Sequence, residues 1–228
     1  MLRKLFRKIS WKYAIGEIVL IFLGITMAIW FNNWNERQKS RQVEIRSLQE
    51  IQNAIHQDLV DMEENLFGFG QRVVLYKLLV QHIEEGLPMD DSLRSMLPYL
   101  QGITTFLSNT GPYETLKSRG LETISNDSIR LRISLYYDFE FEKLQSNEKQ
   151  HYQHSISYLK PLMMKHFNLS DYRLEPLDYE QMIHDFEFRQ TIYWALRTDS
   201  YMLELYKDLF AIAQSLVKDL EEEIGRLD

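Results

Sequence analysis

The sequence predicts an all-α chain: one N-terminal transmembrane helix followed by an elongated extracytoplasmic antiparallel helical bundle with short connecting helices. Three observations carry this. "GEIVLIFLGITMAIWFNNW", Gly16 to Trp34, is the only long apolar run. Apolar residues recur at alternating three-four spacing in the segments beyond it, which is the helical period. Period-two alternation is scarce, so little or no sheet is expected.

The first element is a basic segment, residues 1–12, with Arg3, Lys4, Arg7, Lys8 and Lys12. The second is a transmembrane helix, residues 13–34. From Tyr13 to Phe31 it would rise about 27 Å, close to a hydrocarbon core of about 30 Å. Trp11 and Tyr13 mark one interface and Trp30 and Trp34 the other, in the pattern of an aromatic belt. A cleaved signal peptide would need small residues at its cleavage site, whereas "FNNWNERQ" follows the run, so an uncleaved signal anchor is expected. Positive-inside bias then puts residues 1–12 in the cytoplasm and residues 35–228 in the periplasm of a bacterial inner membrane, although Arg37, Lys39, Arg41 and Arg46 reduce the contrast.

Within this helix Gly24 and Ala28 each fall within about 20° of Glu17 at 3.6 residues per turn. "GITMA" is a small-xxx-small spacing that lets two helix backbones approach. This face is the candidate helix–helix interface of a self-associating anchor. Two readings of Glu17 stand side by side. It lies only about 6 Å inside Tyr13 and can bend back to the headgroups or to Lys8 and Lys12. Alternatively, intramembrane acids are functional by default, and a ring of Glu17 side chains would bind cations, relay protons or fix assembly.

"KYAIGEIVLIFLGITMAIWFNNWNE" (Lys12 to Glu36), with the later "YETLKSRGLETISNDSIRLRISLYY" (Tyr113 to Tyr137), resembles an uncharacterised Bacteroidota family of small single-pass inner-membrane proteins, a domain of unknown function. The resemblance implies an inner-membrane protein with a periplasmic helical domain. It brings no activity, ligand or catalytic residue. Trp30 and Phe31 depart from it, standing where smaller or more aliphatic residues are expected.

Beyond the membrane, Ile45, Leu48, Gln52, Ile55, Leu59, Met62, Leu66 and Phe69 predict a heptad seam on a long helix over about 37–84. "NNWNE" is poor helix-forming sequence, and Gly68 and Gly70 are candidate bends, so continuity with the anchor stays open. "EEGLPMDD" stops this helix. Residues 91–125 read as short connecting helices, with Pro98 interrupting one and Pro112 and Gly120 bounding another. A second long helix, about 126–167, starts at an Asn126 or Asp127 cap and should kink or end at Pro161. After "NLSDYRLEPLD", a third, about 179–225, carries the seam Met202, Leu205, Leu209, Ile212, Leu216 and Leu220. Three amphipathic helices with connections of this length favour an up-down bundle.

The chain's 45% hydrophobic and 26% charged residues suit a folded domain, and the absence of cysteine excludes disulfides, thiolate metal sites and thiol nucleophiles. The net charge is −7. Residues 1–34 carry +4, which leaves −11 on the body, so nucleic acid is not an expected partner. "EKQHYQH" sets Glu148, His151 and His154 at i, i+3 and i+6, half of a carboxylate-bridged di-metal pattern whose second half is missing. That stretch is read as a solvated face, and no metal or other cofactor is expected. His56, His82 and His166 read as ordinary surface or partly buried side chains. The rings of "LYYDFEFEKL" are expected to fill the wide part of the core, with Tyr137 or Phe139 the candidates to face a partner. No nucleophile elbow, HExxH helix, phosphate loop or EF-hand is present, so no enzyme is expected. The reading is a membrane-anchored, homo-oligomeric periplasmic scaffold or sensor. Its partners are the lipid bilayer, further copies and a periplasmic protein. The alternative is a subunit of a transport or ion-conducting assembly that uses Glu17.

Overall fold

The computed structural model describes residues 11–102, 104–169 and 174–228. The basic residues Arg3, Lys4, Arg7 and Lys8 lie outside the described residues. The chain is all-α, with one two-residue antiparallel ladder pairing β1 (Phe167–Asn168) with β2 (Glu175–Pro176).

Helix α1, Trp11–Glu85, is a single 75-residue element. Among the described residues it is the one helix long and apolar enough to cross a membrane, with mean hydropathy 1.9 in its best window. "NNWNE" does not break it. Propensity is a weak prior, and extending a formed helix costs far less than nucleating a new one. Polar residues between two strongly driven stretches therefore stay helical, helped by the Lys39–Glu36 pair at 3.1 Å. The helix stops at Gly86, whose φ of 63° suits glycine. The Leu87 N–H reaches back to the His82 carbonyl at 3.1 Å, the six-to-one bond of a Schellman end, and Pro88 follows.

The bundle half of α1 buries two lines of side chains, each at seven-residue spacing. Leu48, Ile55, Met62, Phe69, Tyr76 and Ile83 form one, as half of the expected seam requires. The other is Glu44, Ile51, Asp58, Asn65, Arg72 and Leu79, one position earlier than the predicted 45, 52, 59 and 66. Ile45, Gln52, Leu59 and Leu66 are only partly buried.

Next come α2 (Asp91–Met96), capped by the Asp90 carboxylate, and a 3-10 turn (Leu97–Gln101). An extended run leads to α3 (Gly111–Arg119) and a second 3-10 turn (Leu121–Thr123). This cap segment descends along α1. Its Thr104 comes so close that a Cβ on Gly68 would stand 3.3 Å from the threonine methyl. Gly68 thus makes room for the cap and does not end α1.

Helix α4 covers residues 127–166, capped by Asn126. It contains two π-helical stretches, Tyr136–Phe141 and Ser155–Leu159. The first adds a residue to the turn, which brings the neighbours Tyr136 and Tyr137 both inside. The second widens the helix just before Pro161, where a regular turn would clash with the ring, so the helix runs on to His166. The expected third helix is two: α5 (Tyr179–His184) and α6 (Phe186–Leu227). They are divided by Asp185, whose carboxylate accepts the N–H groups of Glu187 and Phe188 at 2.8 and 3.1 Å.

Two hydrophobic clusters result. The one nearer the apolar stretch joins α1 from Leu48 to Phe69 with α3, the first half of α4 and α6 from Met202 onward. The far one joins α1 from Leu75 to Ile83 with α2, the end of α4, α5 and the start of α6.

Candidate functional site at a buried ionic junction

Between the two clusters, α1, α4 and α6 each contribute one polar side chain to an enclosed group. Arg72, His151 and Asp199 are 3%, 8% and 1% exposed. Arg72 Nη2 donates to Asp199 Oδ1 at 3.1 Å, and Nη1 donates to the Gly102 carbonyl at 2.7 Å. Nε lies 2.8 Å from Asp199 Oδ2 but out of line for a hydrogen bond, so that contact is ionic. His151 Nε2 is 2.6 Å from Asp199 Oδ1 and 3.2 Å from Arg72 Nη2. The shorter contact has hydrogen-bond length. Phe69 completes the packing: its face lies 5.1 Å from the guanidinium carbon, and its ring meets His151 edge-on at 5.4 Å.

A second polar group lies one turn away. Tyr206 donates to Glu148 through a short contact, and the Phe106 N–H donates to the same Oε1 at 2.9 Å. Burial pushes the Glu148 carboxyl above its ordinary range. Burial also raises the Tyr206 hydroxyl, and so does the adjoining carboxylate. Tyr76 is fully buried, with a hydroxyl that has no well-formed hydrogen bond among the described residues, and burial raises its pKa as well.

The polar line on α1 has a shared use, which is to receive the cap segment. Asp58 accepts from the Asn109 N–H at 2.9 Å, the Ser108 hydroxyl at 2.7 Å and the Tyr136 hydroxyl at 2.9 Å. Asp61 accepts from the Leu107 N–H at 3.0 Å. Glu44 accepts from both the N–H and hydroxyl of Ser125 at 2.7 Å. The irregular backbone of the cap cannot satisfy its own amides, so Glu44 and Asp58, fourteen residues apart on this line, and Asp61 one turn beyond Asp58 do it.

Several expectations need correction here. The stretch read as a solvated face is half buried: Glu148 and His151 point into the core because α4 packs on two sides. His82 and His166 are buried too, at 1% and 4%, against Tyr179 and Asp185. Tyr137 stacks on Tyr113 at 4.5 Å inside the core, whereas Phe139 is 58% exposed. Among the described residues, no group of three His, Asp or Glu is placed to hold a metal ion.

The candidate anchor residues stand apart from this junction. Glu17, Gly24 and Ala28 are exposed on the apolar stretch of α1, and nothing approaches the position a Cβ would take at Gly24. Trp11, Tyr13, Trp30 and Trp34 are exposed at its two ends, with Trp34 packed 5.9 Å from Phe31. The structure brings none of them to the buried polar groups.

A family of unknown function, DUF6090, has a model that matches residues 17–198, about four-fifths of the chain. The chain belongs to this family. The matched region runs from Glu17 in the apolar stretch through the cap and α4 into α6, so DUF6090 joins the apolar helix and the bundle in one unit. No curated protein and no solved structure matches the chain.

Proposed function

We propose that the chain is an uncleaved single-pass membrane protein whose bundle lies outside the cytoplasm and serves as a non-catalytic scaffold or sensor. Self-association through the Glu17, Gly24 and Ala28 face belongs to the same reading, with a periplasmic protein as the bundle's partner. One observation carries it: α1 runs without a break from the apolar stretch into the bundle core. In a continuous helix, a rotation or shift imposed on the bundle is delivered to the apolar stretch, because no flexible joint absorbs it. The buried junction supports the reading by tying α1 to α4 and α6, which makes the bundle a stiff holder for that helix.

The test is topology and anchoring together. Membranes carrying the full chain should retain it through an alkaline carbonate wash, and a reporter active only in the periplasm, fused after Asp228, should give signal. Signal from a cytoplasmic reporter alone would reverse the orientation.

A further inference from the structure

Where the bundle ends nearest the apolar stretch, a cleft of about 650 Å³ opens between α1 and the last turn of α6. Its lining includes Asn33, Glu36, Arg37, Arg41, Glu44 and Arg226. The acids here are already engaged. Glu36 pairs with Lys39 at 3.1 Å, and Glu44 is held by Ser125. The nearby Glu223 takes Arg226 Nε at 3.0 Å and Nη2 at 2.5 Å, as well as the Asn126 amide at 2.9 Å. Arg226 Nη1 has no hydrogen-bond acceptor among the described residues. Arg37 and Arg41, four residues apart on one helical face, have no carboxylate within ion-pair distance among the described residues.

We propose that this cleft holds the phosphate of an anionic phospholipid headgroup, gripped by Arg37 and Arg41 with Arg226 as a third donor. The inference rests on the membrane-anchored reading. Arg37 and Arg41 stand about 5 and 10 Å beyond Trp34 by helical rise. A headgroup layer is about 5–8 Å thick on each side of the core, so Arg37 lies within it, and Arg41 reaches back into it because helical side chains lean toward the helix N-terminus. Arginine's planar fork matches phosphate oxygens two at a time. The carboxyl end of α6 carries the negative end of its helix dipole, so the phosphate sits against α1. A partner of this kind also explains why two arginines lie unpaired in a body that is acidic as a whole.

The experiment uses the full chain, extracted in mild detergent and loaded with phosphatidylglycerol or phosphatidylcholine, with bound lipid counted by native mass spectrometry. The wild type should retain phosphatidylglycerol several-fold better. Arg37→Gln with Arg41→Gln should weaken that retention by about tenfold or more, at roughly fivefold per cation near an anionic surface. Lys77→Gln with Lys149→Gln, which removes equal charge from exposed sites away from the cleft, should leave it intact. Equal retention of both lipids by the wild type overturns the proposal, and so does a double arginine variant that keeps its preference. Displacement of the lipid by millimolar inorganic phosphate also overturns it, since the site would then take a free anion. The carbonate wash separates the two readings. Protein that washes out fails the anchor and this site together, whereas anchored protein without lipid preference fails this site alone.

Discussion

Residues 15–34 and 44–83 of α1 lie on one helix, yet their side chains are arranged for different surroundings. In the first stretch every position is exposed, nearly all are apolar, and the small residues Gly24 and Ala28 are open to a neighbour. In the second, Glu44, Asp58, Asn65 and Arg72 are buried at multiples of seven residues beside an apolar line. A helix in lipid satisfies its own backbone and has no foreign amides to serve. A helix in a water-soluble bundle can also satisfy irregular backbone laid against it. The contrast shows that the buried polar residues of α1 mark where the cap and the ionic junction dock, and they are not flaws in an apolar seam.

The largest effect should come from breaking the junction. Arg72→Ala leaves the Asp199 carboxylate buried without its cation, and this should cost about 3–5 kcal/mol, read as a shift in the urea midpoint of the full chain in detergent. Replacing Arg72, His151 and Asp199 together by Met, Leu and Leu should recover most of that loss. A loss below about 1 kcal/mol for Arg72→Ala would remove the distinction drawn between the two stretches.

Asp58 sharpens the comparison at a smaller scale. Asp58→Leu leaves the buried Tyr136 hydroxyl dry, at about 1–3 kcal/mol, while the more accessible Asn109 N–H and Ser108 hydroxyl turn to water. Asp58→Asn keeps an acceptor and should cost far less. Burial, opposed by these hydrogen bonds, raises the Asp58 carboxyl above its usual value of about 3.9. A raised carboxylate pKa means that the fold favours the protonated form. The Asp58 contribution is therefore fully present below the unfolded value and is lost as pH rises through the raised one. Wild type should gain on Asp58→Asn as pH falls from 8 to 4, with urea midpoints of both proteins as the measure. A gap that is constant with pH would show Asp58 to be an ordinary surface acid.

The smallest effect on the bundle belongs to the apolar stretch. Gly24→Leu with Ala28→Leu should move the urea midpoint by less than about 0.5 kcal/mol while weakening self-association in bilayers. A bundle midpoint that drops as far as it does for Asp58→Leu would show that the two stretches are not energetically separate.

The legible parts of the fold were those that rest on local spacing. Leu48, Ile55, Met62 and Phe69 announce a helix face, and Asn126 announces a start. The second buried line was hidden because Glu44, Asp58 and Arg72 look like solvent residues until a loop with unpaired amides lies on them. Glu148 and His151 were misread for the same reason. The signal was present as a polar residue at multiples of seven from Glu44, but its use depends on contacts from distant sequence. The division at Asp185 was missed because the apolar periodicity continues across it, and only the cap geometry separates α5 from α6. The helix does not end at Pro161, because the turn before it is widened, and a lone proline does not reveal that widening.

The bond from Arg72 to Asp199 closes across 127 residues of sequence. During synthesis α1 emerges long before α6 exists, and its inner face waits for a partner made last. Contacts this remote slow folding, and an exposed apolar seam would invite aggregation meanwhile. The charged side chains on that waiting face hold water until α4 and α6 arrive, so the groups that later lock the bundle first protect the nascent chain.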